Sequence, residues 1–200
     1  MGESDGSFCE SNVNYGIYKQ ARNASWNCLL ACDVRELPIK AVPIVKSYAI
    51  DCKYQTSELL KGKSGMIFHQ GIHTTILVNK EEERLRQRFT IMHELGHFLL
   101  GHLGDVPFSR SEGECRPSEE QAADKFAIDM LAPACVLWGL QLHTAEEIAE
   151  ICQISPEAAK YRAERMKILY QRNKFLTHPL ERRVYAQFLQ YIRKTRKSLK

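Results

Sequence analysis

Two histidines and a glutamate in the run His93-Glu94-Leu95-Gly96-His97 have types and spacing that suit metal-assisted hydrolysis. A helix turns about 100° per residue, which places His93 and His97 on one face, one turn apart. Two imidazoles so placed could bind one zinc ion, and Glu94 could reach a water at the metal without being a ligand. Glu94 would accept a proton from this water, which would attack a peptide carbonyl. The alternative is a buried structural pair of histidines.

A catalytic zinc ion generally takes three protein ligands. We predict Glu120 as the third, because Asp124 follows one helical turn later and could accept the free ring N–H of a ligating histidine. Asp124 as the ligand itself is the main alternative. Other carboxylates also compete with Glu120, namely Glu112, Glu114 and Glu119. The three-histidine motif has its third histidine six residues after the second, whereas His102 follows His97 by five residues. We therefore predict that His102 lies at a helix end or behind a ligand.

Two helices must carry these residues. Asn79 is predicted to cap the first, which runs through both histidines to about Leu100. Its first turn would hold three acids that the helix dipole favours, Glu81, Glu82 and Glu83. Ser118 is predicted to cap the second helix, which carries Glu120 and reaches Leu131.

Three short segments are predicted to be strands, Cys52–Gln55, Gly65–Phe68 and 74–78. The last two flank a turn-like segment and should form an antiparallel hairpin. The third strand leads into the metal helix, and its edge could hold an extended substrate by β-augmentation. This substrate strand would consist of Thr74, Thr75, Ile76, Leu77 and Val78. The alternative is that both of its edges are paired within the sheet.

The motifs around these residues resemble those of a known family. Residues 88–97 read RFTIMHELGH, and residues 120–133 read EQAADKFAIDMLAP. Both, in this order, resemble the ImmA/IrrE family of metallopeptidases, and the likeness covers residues 35–135. Ala132 replaces a methionine that is frequent in the family, but it lies outside the metal motif.

The resemblance implies a zincin-like α+β fold with a small mixed or antiparallel sheet. It implies that His93, His97 and Glu120 are metal ligands and that Glu94 is the general base. Characterised members are bacterial or phage proteins of the cytoplasm that cleave a helix-turn-helix repressor and so derepress genes of mobile elements or the DNA-damage response. The implied cofactor is Zn²⁺, although Mn²⁺ could also occupy such a site.

The C-terminal region, residues 141–200, is predicted to be helical and to contain a helix-turn-helix-like pair. Thr144 and Ser155 should cap its two helices. The second helix carries three cations that could contact nucleic acid or a protein partner, Lys160, Arg162 and Arg165. Arg162 stands where a DNA-binding pattern has an apolar residue. This favours a pair that packs on the peptidase or recognises the repressor over one that binds DNA.

Composition is typical of a folded soluble protein, with 44% hydrophobic and 26% charged residues among 200. We expect a flexible tail at residues 1–12, a peptidase domain at 13–140 and the C-terminal region at 141–200. No apolar run reaches the length of a membrane helix, and no secretory signal pattern opens the chain. We therefore expect a cytoplasmic protein without membrane contact. The sequence does not predict its oligomeric state.

The seven cysteines are expected to be reduced thiols. Cys28 and Cys32 have a spacing that could bind a metal, but without a second ligand pair they are better explained as small buried hydrophobic residues. Cys115 could cap the metal as a thiolate, the alternative being an ordinary loop cysteine.

These features together predict a zinc endopeptidase that makes a site-specific cut in a helix-turn-helix repressor. One alternative is a DNA- or repressor-binding regulator with an inert metal site. The other is a toxin-like intracellular protease, whose site would look the same.

Overall fold

The computed structural model describes residues 6–102 and 118–198, with side chains from residue 16 onward. The described residues form eight helices and one three-stranded sheet, which confirms the predicted α+β fold with a helical C-terminal region. In chain order the elements are α1 (Gly6–Ala31), α2 (Ala41–Ser47), β1 (Ile50–Gln55), β2 (Gly65–Gln70), β3 (His73–Asn79), α3 (Arg84–Leu100), α4 (Ser118–Leu131), α5 (Ala134–Leu140), α6 (Ala145–Cys152), α7 (Pro156–Gln171) and α8 (Pro179–Ser198).

The first helix, α1, is the longest of the described helices. It begins at Gly6, inside the segment 1–12 that is predicted to be a flexible tail, and that tail stays a prediction. No proline interrupts residues 6–31, and a helix propagates readily once part of it is formed and packed. The packed part lies against α4 and buries Ala21, Ser25 and Leu29.

The sheet has the strand order β1-β3-β2, and the predicted hairpin is confirmed. β3 pairs antiparallel with β2, with Gly65 opposite Val78, and parallel with β1, with Ile50 opposite Thr74. The connecting turn is shorter than predicted, because both strands extend to residues beside Gly71 and Ile72. Gly71 has a φ of 63°, which glycine adopts without strain.

The central position of β3 overturns the predicted substrate strand. Thr74, Thr75, Ile76, Leu77 and Val78 are paired on both sides within the sheet, so their backbone edges are occupied. The run combines β-branched and apolar residues, and Ile76 and Val78 are completely buried. Such a run suits a central strand better than an edge strand, which explains the outcome.

The metal helix begins later than predicted, because Asn79 belongs to the sheet. Asn79 pairs with Gln55 at the end of β3, and its side-chain oxygen accepts a hydrogen bond from the Glu81 backbone at 2.9 Å. It therefore stabilises the turn that follows the strand rather than capping α3, whose N-cap position is Glu83. The opposite end of α3 agrees with expectation, since Gly101 ends the helix with a φ of 75°.

Close approach between α3 and α4 depends on Gly96. A Cβ atom built on Gly96 would lie 3.0 Å from Phe126 Cδ1 and 3.2 Å from Ala123 Cα. Because α4 carries Glu120 and Asp124, the missing side chain at Gly96 lets these carboxylates approach the histidines of α3.

The C-terminal helices share one hydrophobic core with the rest of the described chain. Ile148, Met166 and Phe188 are buried in the cluster that also contains the core residues of α3 and α4. The predicted Thr144–Glu147 capping box and Ser155 cap are present. The division at residue 140 stays a prediction.

Within the described ranges no single helix is long and apolar enough to cross a membrane. One bent pair, Ser118–Leu140 with Ala145–Cys152, passes that test by length and composition only.

Candidate metal centre

His93 and His97 lie in the middle of α3, and each ring is buried, with 6% and 7% of the residue exposed. The helical spacing turns both rings to the same side, so that their Nε2 atoms are 3.0 Å apart. Burial and convergence of two such nitrogen atoms suit a shared metal ion, because an imidazole binds metal through an unprotonated ring nitrogen.

Glu120 completes this group from the first turn of α4. Its Oε2 lies 3.4 Å from His93 Nε2, and its Oε1 lies 3.3 Å from His97 Nε2. One ligand atom from each of the three residues lies within 4.8 Å of the others. The structure thus brings together the three residues that the sequence analysis selects as metal ligands.

The spacing of these atoms fits one tetrahedral ion. Two ligands that each lie about 2.0–2.1 Å from tetrahedral zinc are themselves about 3.4 Å apart. The separations in the cluster, 3.0, 3.3 and 3.4 Å, are close to that value. Two imidazoles and one carboxylate therefore form a donor set that could hold zinc, with a fourth coordination position left for a water or a substrate.

Asp124 and His102 lie behind the two histidines. Asp124 Oδ1 is 2.8 Å from His93 Nδ1, which is the ring nitrogen that faces away from the cluster. This position corresponds to the predicted role of Asp124 as an acceptor, while the cluster takes its carboxylate from Glu120. His102 Nδ1 lies 3.3 Å from His97 Nδ1, so each of the two histidines has a partner on its second nitrogen.

The charges of the cluster are tightly coupled. Hydrogen bonds from His93 and His97 hold the pKa of Glu120 well below its usual range. Burial lowers the pKa of His93, but hydrogen bonds to Asp124 and Glu120 and the nearby carboxylates outweigh it and raise that pKa to about 9. Burial lowers the pKa of His102, and the nearby His97 lowers it further. The shifts of His93 and Glu120 both favour a protonated His93 beside an ionised Glu120 when no metal is bound.

Glu94 is buried on the side of α3 that faces β2. A Cβ atom built on Gly65 would lie 3.8 Å from Glu94 Cγ, an ordinary contact distance, so the two residues are neighbours. Glu94 is not a member of the ligand group formed by His93, His97 and Glu120. Its role as a general base stays a prediction, as do the roles of the three ligands.

Three of the residues that compete for a role at the metal, Glu112, Glu114 and Cys115, lie outside the described residues. Glu119 is described and is half-buried, one residue before Glu120 on α4. Cys28 is buried and Cys32 is half-buried, and both are free thiols, as predicted.

Arg162 corrects the predicted partner surface. It is only 2% exposed, and its Nη1 donates to Asp129 Oδ1 at 2.7 Å. Lys125 pairs with the same carboxylate, so α4 and α7 are joined by a buried group of three charges. Lys160 and Arg165, in contrast, are exposed.

The sequence contains one signal of this buried group, although the group was not predicted. Arg162 stands where a helix-turn-helix pattern has an apolar residue, which is the position that faces the core. Asp129, the partner, lies within an apolar stretch of α4.

A comparison of the sequence with known protein families supports a metal centre of this kind. Residues 54–164, just over half of the chain, match the Peptidase_M78 family, described as the IrrE N-terminal-like domain. The matched segment contains α3 and α4 with His93, Glu94, His97, Glu120 and Asp124, and it ends within α7. No curated protein matches the chain.

Proposed function

This chain belongs to the Peptidase_M78 family of ImmA/IrrE-type metallopeptidases, and we propose that it is a zinc-dependent endopeptidase that cuts a protein substrate at a restricted site. The observation that carries the proposal is the buried group of His93, His97 and Glu120, whose separations match those of ligands around one zinc ion. The family membership also supports a zincin-like fold, which the earlier resemblance implies.

Each side chain of the site would have its own role in hydrolysis. His93, His97 and Glu120 would hold the ion, which when bound supplies a Lewis acid at the reacting carbonyl. Glu94 would take a proton from the attacking water and pass it to the leaving amine. Asp124 accepts a hydrogen bond from Nδ1 of His93 and so fixes the neutral ring in the tautomer whose Nε2 could bind the ion.

The substrate would be held at β2 rather than at β3. β2 is an edge of the sheet among the described residues, since its only strand partner there is β3. It also runs beside α3, where Gly65 lies against Thr90 and Glu94. An extended peptide could add to this edge by β-augmentation and pass close to Glu94.

We take the substrate to be a helix-turn-helix repressor in the cytoplasm of a bacterial cell. Its cleavage would derepress genes of a mobile element or of a stress response. The support for this choice is the resemblance to the ImmA/IrrE family, whose characterised members act in this way. A charged C-terminal surface, on which Lys160 and Arg165 are exposed, supports a role in partner recognition.

Comparison of the unaltered protein with Glu94→Gln in a lysate of the source cells tests the proposal. Both proteins are loaded with zinc, and new protein N-termini are mapped by mass spectrometry. We expect cuts in one or two proteins, and none with Glu94→Gln. A cut repressor supports the regulatory role, and a cut housekeeping protein supports a toxin-like protease instead. No cleavage by either protein, with purified helix-turn-helix repressors of the same cell also left intact, would overturn the proposal in favour of a binding protein.

A further inference from the structure

The turn that ends α3 brings a second ring against His97. Gly101 adopts a left-handed φ of 75°, and the backbone N–H of the next residue, His102, donates to the carbonyl of His97 at 2.9 Å. This hydrogen bond holds residue 102 against the last turn of α3, and the His102 ring lies edge-on to the His97 ring, with centroids 5.3 Å apart and an interplanar angle of 70°. The two Nδ1 atoms are then 3.3 Å apart.

We propose that His102 is a positioning residue of the metal centre, whose Nδ1 accepts the Nδ1 proton of His97 and thereby fixes the ring that presents Nε2 to the metal. This inference rests on the metal site of the proposed function and extends it to a residue outside the His-Glu-x-x-His motif and outside α4.

The position of the proton follows from the direction of each nitrogen. His97 Nε2 faces His93 Nε2 and Glu120 Oε1, so it must be unprotonated when it binds an ion. In neutral imidazole the other nitrogen then carries the hydrogen, which makes His97 Nδ1 a donor. A donor at this distance needs an acceptor, so His102 Nδ1 is unprotonated and His102 carries its hydrogen on Nε2.

The two ligands therefore differ in the partner behind them. His93 is backed by a carboxylate, Asp124, which belongs to another helix. His97 is backed by a ring that the same chain segment supplies five residues later. A carboxylate raises the basicity of an imidazole more than a neutral acceptor does, so His102 mainly orients its partner while Asp124 also strengthens it.

Zinc affinity of His102→Leu and His102→Asn, measured by competition with a chromophoric chelator, tests the proposal without any peptidase assay. Leucine removes the acceptor, and we expect a loss of affinity of roughly 10–100-fold, the usual effect of removing a group behind a metal ligand. Asparagine can place Oδ1 near the position of Nδ1, and we expect it to retain most of the affinity. His73→Leu makes the same change at an exposed histidine of β3 and should leave the affinity unchanged.

Spectroscopy gives a second readout. In the zinc-loaded protein the Nδ1 hydrogen of His97 should give a slowly exchanging proton resonance, which His102→Leu loses and His102→Asn keeps. The visible spectrum of the Co²⁺ form should change in the same order. Thermal unfolding of the metal-free variants checks that both remain folded.

Equal zinc affinity and unchanged spectra in His102→Leu would overturn this inference and leave the proposed peptidase untouched. A protein that shows the expected order of affinities but cleaves nothing would uphold the inference and overturn the proposed function. Failure of the unaltered protein to bind zinc would overturn both.

Discussion

Oδ1 of Asp124 lies 2.8 Å from Nδ1 of His93, on the side of the ring opposite to Glu120. Asp124 and Glu120 lie one turn apart on α4, so a single helix supplies one carboxylate to the front of the metal centre and another to its rear. The packing of α4 on α3 therefore determines both the set of candidate ligands and the orientation of one of them.

Replacing Asp124 should weaken zinc binding without abolishing it. Asp124→Ala removes the acceptor behind His93, and we expect a loss of affinity of roughly 10–100-fold. Asp124→Asn, which keeps an uncharged acceptor oxygen, should lose less. Chelator competition measures both, with Glu120→Ala as the comparison for a lost ligand. If Asp124→Ala and Glu120→Ala lost affinity equally, Asp124 would have to be treated as a ligand.

Glu94→Gln should separate catalysis from metal binding. The amide cannot accept the proton of the attacking water, and we expect cleavage to fall by roughly 10²–10⁴-fold or more. Zinc content should be unchanged, because Glu94 lies outside the ligand group. Steady-state rates on the mapped substrate and metal analysis of the same sample check the two parts. Loss of zinc together with activity would contradict the assigned role.

Zinc affinity should rise with pH up to about 9. The pKa of His93 is raised to about 9 in the metal-free protein, so binding at neutral pH must displace a proton. We expect affinity to change about tenfold per pH unit below that value. Chelator competition across this range measures the slope, and Asp124→Asn, which lowers the His93 pKa, should shift the slope to lower pH. A flat profile would contradict the prediction.

The metal-free protein should show the opposite trend in stability. Because the folded-state pKa of His93 lies above its ordinary value of 6.5, its contribution to the free energy of unfolding is complete below pH 6.5. That contribution is lost as the pH rises through about 9. Urea unfolding in the presence of a chelator, compared between the unaltered protein and His93→Gln, isolates this contribution. Equal pH dependence in the two proteins would rule it out.

Gly96→Ala should disturb the contact between α3 and α4. Its new Cβ would lie 3.2 Å from the Ala123 backbone, which cannot turn away as a side chain can. We expect a loss of about 1–3 kcal/mol in the free energy of unfolding and weaker zinc binding, because Glu120 moves with α4. Gly16→Ala in α1 has no neighbour within 4 Å and should instead stabilise by about 0.5–1 kcal/mol. A stabilised Gly96→Ala with full zinc affinity would refute the argument.

Arg162→Met should destabilise the fold rather than weaken binding to a partner. It leaves Asp129 buried with only Lys125 as a cation, and we expect a loss of about 3 kcal/mol in urea unfolding. The matched changes at exposed cations, Lys160→Met and Arg165→Met, should each alter stability by less than about 0.5 kcal/mol. Equal effects at all three positions would mean that Arg162 is not part of a buried ion group.

Much of the metal centre could be predicted because it depends on spacing within single helices. His93 and His97 share a face whenever their segment is helical, and Asp124 follows Glu120 by one turn for the same reason. The hairpin could be predicted for a similar reason, because its two strands are neighbours in the sequence and flank a short turn. Family membership followed from the same two motifs.

Other features depend on contacts between segments that are far apart in the chain. The spacing of residues within one segment does not predict these contacts. The parallel pairing of β1 with β3 makes β3 central and leaves β1 and β2 as the edge strands among the described residues, although β1 and β3 are separated in sequence by β2. The burial of Arg162 depends on Asp129, 33 residues earlier.

The sequence by itself determined the predicted chemistry of this protein, because the identity and helical spacing of His93, Glu94 and His97 predict a metal-assisted hydrolytic site. The tertiary structure decided which carboxylate joins the two histidines, which ring lies behind His97 and which of the described strands lie at the edges of the sheet. These depend on the packing of α3 against α4 and on the order of the strands. Such contacts join segments far apart in the chain, and only the folded core brings them together.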